Sequence, residues 1–381
     1  MIQSPTILYL SEDYTTSKVH HNLCRNIVLR GCRVVLFSIY RQKYYTDLSF
    51  SFNRINYDRN VDYFTGSTQL YKYLFPYKIR YKYHKLVTAV NVKEIDLCHA
   101  ATLFSDGAIA LKLKKEHGIP YVLNVRGTDV DLYAKWMFHL WPLGRKILRE
   151  SKRVVFISPS LREALFKSKS FCDMRDEIMP KTDIIPNGID DVWLDNIRIK
   201  RQPMDNEHPK IIYVGVLDKN KNVLALMDAV DKLSVNYPCI KLSIVGGNGP
   251  QEKDIRKRCE KYPDRYQMLG KIYDKDKLRI EMRKNDIFAM VSHGETFGLV
   301  YIEALSQGLP ILFSRERGVD GFFVEKVGEA VNPDSVDSIA HGLERIISHQ
   351  NEYVVLGEKV KPFSWPKLAE RYVKIYRASL L

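Results

Sequence analysis

Two α/β units, each built on a parallel sheet, are what this sequence predicts, and three observations predict them. The 381 residues exceed one ordinary hydrophobic core, so two domains are the expectation. Short apolar runs alternate with amphipathic helical patterns over residues 1–190 and again over 210–363. That strand–helix–strand order calls for parallel pairing. Between the two series, residues 191–209 are polar, include Arg198-Ile199-Lys200-Arg201-Gln202-Pro203, and read as a linker.

In the first series, residues 6–10 read as a strand and residues 17–30 as a helix. Val19, Leu23, Ile27 and Val28 share one helix face, and Gly31 is the stop. A strand over 33–39 follows. Residues 40–90 carry the weakest pattern. Within them, residues 71–85 interleave six aromatics with five Lys or Arg, a mixture that suits a membrane–water interface. The same spacing also fits a helix whose tyrosines pack inward. Residues 96–100 form a strand end, 108–116 a helix, and 121–125 a strand that ends in Arg126-Gly127-Thr128-Asp129. In open parallel sheets ligands sit at the carboxyl ends of strands, where this tetrapeptide falls. Arg126 stays charged and cannot be a base, so its role is a structural salt bridge or an electrostatic contact with a ligand. Asp129 is the better candidate base. A strand at 153–158, a helix at 161–169 and the turn Pro186-Asn187-Gly188-Ile189-Asp190 complete the series.

The second series opens with a strand at 210–215 that ends in Gly215. A loop, Asp218-Lys219-Asn220-Lys221-Asn222, leads into a helix at 223–233. A strand at 241–245 runs into Gly246-Gly247-Asn248-Gly249-Pro250 and a helix at 252–261. This glycine turn is not Gly-x-Gly-x-x-Gly, so a nicotinamide fingerprint is not supported. Strands at 266–270 and 286–290 precede the most informative stretch, Ser292 to Pro310. There Gly294-Glu295-Thr296-Phe297-Gly298 leads into a helix with Leu299, Ile302 and Leu305 at helical spacing. Gly308 and Pro310 end it, and 311–313 is a buried strand. The backbone N–H groups of Phe297, Gly298, Leu299 and Val300 are the unbonded donors of a helix start, a ready phosphate site. Seven residues separate Glu295, in the loop, from Glu303, about two turns into the helix. A helix at 336–347 and an amphipathic segment at 363–376, aligning Leu368, Tyr372, Ile375 and Tyr376, finish the chain.

Composition narrows the partners. With 45% hydrophobic and 27% charged residues the chain has an ordinary soluble globular make-up, and no apolar run approaches a membrane span. Ile7-Leu8-Tyr9-Leu10 followed by Glu12-Asp13 reads as a first strand, not a signal peptide. Six cysteines without Cys-x-x-Cys or metal-ligand spacing suit a reducing cytoplasm. The net charge is +14, and residues 1–190 hold most of the excess, with 29 Lys or Arg against 18 Asp or Glu. A basic first half implies an anionic partner, and no zinc-finger, helix-turn-helix or RNA-recognition signature points to nucleic acid.

The Glu295-x7-Glu303 pattern, with its Gly-Glu-Thr-Phe-Gly entry and Gln-Gly-Leu-Pro exit, resembles the retaining glycosyltransferases of family 4 (glycosyl transferases group 1). The resemblance extends to Pro186-Asn187-Gly188, the 210–221 segment and the 246–250 turn, and so covers nearly the whole chain. It implies the GT-B fold, two Rossmann-like domains facing across a cleft. Residues 1–190 would hold the acceptor, with the helix at 364–381 packing back on them. Residues 210–363 would hold a nucleotide-sugar donor. Lys221, six residues after Gly215, fits the family's diphosphate-gripping lysine, whereas Val216 stands where the family has Arg and Lys219 could supply the missing charge. Gly247 and Ile272 would lie along the nucleotide, Glu303 would hold the ribose, and Glu295 would contact the sugar. Arg126 stands where the family most often has His, and Thr15-Thr16-Ser17-Lys18 where it usually has a Gly-Gly pair.

The resemblance implies sugar transfer to a saccharide or lipid-linked saccharide acceptor, as in cell-surface polysaccharide assembly, with no metal and no cofactor beyond the nucleotide sugar. The cysteine usage and the basic first half place the chain in the cytoplasm or peripherally on the inner membrane face, with residues 71–85 as the contact with an anionic surface. Two other readings are an epimerase of the same architecture and a non-catalytic relative that binds nucleotide sugar or membrane.

Overall fold

The computed structural model describes residues 4–12, 14, 18–41, 58–64, 74–201 and 203–381. Thr15, Thr16 and Ser17, of the segment that stands where the family usually has a Gly-Gly pair, and residues 71–73 of the aromatic-basic segment lie outside the described residues. The chain divides into two compact units. Unit 1 comprises Met1–Ile157, Leu161–Asn187 and Trp365–Leu381, and unit 2 comprises Ser158–Ser160 and Gly188–Ser364.

Unit 1 is a seven-stranded, wholly parallel sheet in the order β3-β2-β1-β4-β5-β6-β7. Its strands are β1 (Thr6–Leu10), β2 (Arg33–Arg41), β3 (Asp58–Phe64), β4 (Leu97–Ala100), β5 (Tyr121–Val125), β6 (Arg153–Phe156) and β7 (Thr182–Ile184). The crossovers are α1 (Lys18–Val28), α2 (Phe75–Ala89), α3 (Ser105–His117), α4 (Trp141–Glu150) and α5 (Pro159–Lys167). Every residue of β1, β4 and β5 is buried, as sheets covered on both faces require, which is why these strands read as unbroken apolar runs.

Unit 2 repeats the plan with a six-stranded parallel sheet, order β10-β9-β8-β11-β12-β13. Its strands are β8 (Lys210–Val214), β9 (Lys241–Val245), β10 (Tyr266–Gly270), β11 (Ile287–Met290), β12 (Ile311–Ser314) and β13 (Gly328–Val331). Its helices are α6 (Asp191–Leu194), α7 (Val223–Leu233), α8 (Glu252–Lys261), α9 (Lys275–Arg283), α10 (Leu299–Ser306) and α11 (Val336–Ser348). The final helix, α12 (Trp365–Ser379), belongs to unit 1. Its Leu368, Tyr372 and Tyr376 join Leu23, Cys24 and Ile27 of α1 in one buried cluster.

Residues 191–209, expected as a linker, are instead built into unit 2. The α6 helix buries the whole Trp193 side chain, and Arg201 donates to the carbonyls of Gly308 (3.1 Å) and Gln350 (2.7 Å). A polar composition misled here because arginines can satisfy backbone carbonyls as well as face water.

The membrane reading of residues 71–85 also needs correcting in detail. They form most of α2, but Lys78 and Lys82 turn inward and are buried. Both ammonium groups pair with the carboxylate of Glu12, and Lys78 also reaches Ser105 Oγ at 2.9 Å. Tyr77 and Arg80 remain exposed.

Candidate functional site

Strand order decides where unit 2 can bind a ligand. From β8 the chain runs outward through β9 and β10, then returns to β11 on the other side of β8, so the order reverses between β8 and β11. At such a switch point the loops leaving neighbouring strands diverge and open a crevice at the carboxyl ends. The two loops are 215–222 and 291–298, and they carry Lys221 and Glu295.

Side chains lock these loops together. Asn220 accepts from Gly294 N through Oδ1 (2.8 Å) and donates to the Gly294 carbonyl through Nδ2 (2.9 Å). Its own carbonyl accepts from His293 N at 2.8 Å. Asn222, in the left-handed region at φ 58°, caps α7 and donates to the Pro333 carbonyl at 2.7 Å. The result is an ion pair between Lys221 Nζ and Glu295 Oε2 at 2.6 Å, with both side chains mostly buried. The remaining Glu295 oxygen accepts from Thr296 N, and its carbonyl accepts from Gly318 N at 2.9 Å.

The start of α10 completes this wall. Gly298 sits at φ 79°, and a Cβ there would lie 2.6 Å from the Tyr301 ring, so only glycine turns the chain into the helix. The Tyr301 hydroxyl donates to the Met290 carbonyl, tying the first turn to β11. Phe297 is buried against Phe322 and Phe363. It can therefore offer a ligand only its amide. Among the described residues the amides of Phe297, Gly298, Leu299 and Val300 donate to no acceptor. Four such donors at a helix start carry about half a positive charge and suit a phosphate.

Glu303 is buried rather than solvated. Its Oε1 takes Lys275 Nζ at 2.8 Å, and that ammonium lies 5.7 Å from the centre of the Trp193 ring and 3.9 Å from Asp190 Oδ2. Burial pushes the Glu303 carboxyl above its usual range, and Lys275 draws it part of the way back. Lys275, Trp193 and Asn220 were not singled out from the sequence. Lys275 stands 28 residues before its partner, and no local pattern announces such a pair.

The other expected residues in unit 2 line up along the same strand ends. Gly215 follows β8 directly, and Val216 and Lys219 are exposed on the loop after it. Gly247 is buried in the turn after β9, where Gly249 packs so closely on Leu217 that a Cβ would overlap the Leu217 carbonyl. Ile272, after β10, is half-buried beside the exposed Tyr273.

In unit 1, Arg126 and Asp129 stand at the carboxyl end of β5. Asp129 is fully buried and accepts from the amides of Leu103 (3.0 Å), Phe104 (3.2 Å) and Arg126 (2.9 Å), which fastens the loop after β4 to the loop after β5. Burial pushes its carboxyl up to about 6 against the pull of those amides and of the Arg126 charge. The Arg126 side chain has neutral partners, Asn187 Oδ1 at 3.1 Å and the Ala101 carbonyl at 3.4 Å. The salt bridge considered for it is not formed among the described residues.

Comparison with known proteins gives these sites a family. Residues 16–193 match the model of Glycosyltransferase Family 4, and residues 195–362 match that of Glycosyl transferases group 1. An uncharacterized glycosyltransferase of Methanocaldococcus jannaschii, MJ1607, is 26% identical over 77% of this chain and 77% of its own. The gpi3 subunit of the Schizosaccharomyces pombe phosphatidylinositol N-acetylglucosaminyltransferase is 26% identical over 53% of this chain and 45% of its own. Among solved structures, Anabaena HepE in complex with UDP and glucose superposes with a TM-score of 0.64 at 16% identity, over 98% of this chain and 100% of that one. The likeness to that structure is one of fold, and the fold is GT-B. With one model covering the first series of elements and the other the second, the chain belongs to the glycosyltransferases of family 4, with a group 1 C-terminal unit.

Proposed function

We propose that the chain transfers a sugar, with retention at the anomeric carbon, from a nucleotide-sugar donor bound in unit 2. The observation that carries the reading is the Lys221–Glu295 pair beside the four open amides of Phe297 to Val300. Two negative phosphates leaving a sugar need fixed positive charge, and Lys221 with the α10 dipole supplies it without a metal. Lys219 would add to it where Val216 stands. Gly215, Gly247 and Ile272 would border the nucleotide and Glu303 its ribose hydroxyls. Glu295 would accept hydrogen bonds from the sugar and favour the cationic character it gains as the bond breaks. The acceptor oxygen bonds to the anomeric carbon, the carbon–phosphate-oxygen bond breaks, and the acceptor proton passes to the departing phosphate. Arg126, always charged, would act by electrostatics, and Asp129 would orient its loop or take a proton.

The UDP bound by HepE makes uridine diphosphate sugars the first donors to test. The basic N-terminal half favours a saccharide or lipid-linked acceptor, and the phosphatidylinositol acted on by the gpi3 relative supports a lipid. Cell-surface polysaccharide assembly at the cytoplasmic face of a membrane fits both. No helix among the described residues is long and apolar enough to cross one. The test is calorimetric titration with UDP, ADP and GDP and their sugars, with and without chelator, followed by transfer to a lipid-linked acceptor. Tight binding with turnover supports the enzyme. Binding without turnover on any acceptor would favour a nucleotide-sugar-binding relative, to which the exposed Val216 already points. Free epimerised sugar nucleotide would favour the epimerase.

A further inference from the structure

A second polar pocket, of about 370 Å³, lies at the opposite, amino-terminal edge of the unit 2 sheet. Lys210 opens β8, Asp286 immediately precedes β11, and Leu309 lies two residues before β12, and all three line it. Its other walls are the carboxyl ends of α9 and α10 and the arginine-bearing segment at 198–201.

Three arginines meet there, and none of them pairs with a carboxylate among the described residues. Arg283 donates from Nε to Gln307 Oε1 at 2.7 Å and from Nη2 to the Asn196 carbonyl. Arg201 donates to the Gly308 and Gln350 carbonyls, and its Nη2 is buried with no acceptor among the described residues. The side chain of Arg198 has no hydrogen bond or ion pair among the described residues, although its amide is tied to the Ser306 carbonyl at 2.9 Å. Burial pulls both Arg201 and Arg283 downward, and at Arg283 the neighbouring charges of Arg279 and Arg198 add to it. These cations repel one another.

The surroundings do not balance the charge. Five cationic side chains line the pocket against two carboxylates, Asp205 and Asp286. Lys284 has its own partner in Glu281 outside the lining, and the two helix ends add about half a negative charge each. About one positive charge remains over, at a half-buried place where the Arg198 guanidinium has no partner among the described residues. Guanidinium forks bind phosphate in two-point fashion, and a phosphate monoester carries about 1.5 to 2 negative charges at neutral pH. The lining also holds the Asn285 side-chain oxygen and Asp205, whose oxygens already accept from Glu207 N (3.0 Å) and meet His208 Nδ1 (2.9 Å), as acceptors that suit hydroxyl groups.

We propose that this pocket is a binding site for a small phosphorylated, hydroxyl-bearing metabolite of the sugar-phosphate class, separate from the switch-point crevice. The full chain is titrated by calorimetry with inorganic phosphate and with a hexose monophosphate. The variants are Arg198→Gln, which gives up no hydrogen bond of the fold, and Lys221→Ala, which removes a cation from the crevice. The site predicts at least about tenfold weaker binding in Arg198→Gln and a change under about twofold in Lys221→Ala. The hexose monophosphate should bind more tightly than inorganic phosphate. Equal unfolding temperatures of Arg198→Gln and the parent, without ligand, establish that the variant is folded; if they differ, Lys284→Gln, on the exposed rim, replaces it with a two- to fivefold loss expected. Binding unchanged by these substitutions, lost with Lys221→Ala, or absent at about 10 mM phosphate overturns the proposal.

Discussion

Lys221 Nζ and Glu295 Oε2 stand 2.6 Å apart at the point where the unit 2 strand order reverses. Each therefore holds the other in place, and a diphosphate entering the crevice would compete with Glu295 for the ammonium group. The two residues should then separate by assay. Lys221→Ala is expected to weaken nucleoside diphosphate binding by about 10- to 100-fold, the worth of one charge-assisted hydrogen bond to phosphate. Glu295→Ala should leave that binding within a few-fold, or tighten it by freeing the lysine, while sugar transfer falls by about a thousandfold. Calorimetry and a transfer assay on the same preparations decide between them. Wild-type turnover in Glu295→Ala would remove the proposed role.

Gly298 tests whether the start of α10 matters as geometry. Its φ of 79° and the 2.6 Å approach of the Tyr301 ring to a Cβ both oppose any side chain. Gly298→Ala should cost about 2–5 kcal/mol in unfolding free energy, from backbone strain plus overpacking. Gly31 shares the left-handed conformation at φ 82° but has open space around its Cβ position. Gly31→Ala should cost only about 1–2 kcal/mol. Equal losses in the two variants would show that the Tyr301 contact contributes nothing.

Much of this framework is legible in the sequence, for physical reasons that also mark where it stops. The strands at 121–125, 241–245 and 266–270 and the helices at 223–233 and 252–261 have the same bounds in sequence and structure, because apolar periodicity ends at glycines or turn residues in each. By contrast, α4 begins Trp141-Pro142-Leu143-Gly144 and resembles a turn. Proline at a first helical turn and a glycine needed for packing produce that appearance, since a Cβ on Gly144 would meet Phe104 at 2.8 Å. The α9 helix buries only Leu278 and Met282, as α8 buries only Ile255 and Cys259, but it lacks the glycine–proline turn that announces α8; it nonetheless delivers Lys275 to Glu303. Lys78 and Lys82 look like a solvated face because their partner, Glu12, lies more than sixty residues away.

The buried core of unit 1 carries a proton-linked cost. His99 donates or accepts between Tyr376 (2.5 Å) and Asn124 (3.1 Å), and Asn124 donates to Tyr372 at 2.9 Å, so α12 is fastened to the sheet through this imidazole. Burial, with the Arg126 charge adding to it, brings His99 down to about 3 from an ordinary 6.5. The unfolded chain thus takes up a proton below pH 6.5 that the folded one refuses until about pH 3. The stability is present above 6.5 and is lost as pH falls through that window, at most at about 1.4 kcal/mol per unit. His99→Gln removes the titration. The difference in unfolding free energy between parent and variant should be largest near pH 7 and shrink steadily toward pH 3. A difference independent of pH would mean that His99 titrates in the fold as it does in the unfolded chain.

Contact between unit 1 and an anionic membrane should fall on α2 residues other than Lys78 and Lys82. Lys78 and Lys82 are committed to Glu12, whereas Arg80 is exposed, with Lys115 and His139, along an apolar groove lined by Phe75, Ile79 and Leu140. Trp136 and Phe138, both more than half exposed, lie in the segment leading into that groove. A basic residue near an anionic surface is worth about 1 kcal/mol, so Arg80→Ala should weaken binding to phosphatidylserine-containing vesicles about fivefold at low salt. Added salt should erase the difference. Lys82→Ala should do something else: it breaks a buried pair and lowers stability by about 3 kcal/mol, with little change in vesicle affinity of the folded fraction. Sedimentation with vesicles, alongside thermal unfolding, separates the two. A Lys82→Ala variant that keeps its unfolding temperature but loses vesicle binding would return the contact to the inward-facing lysines.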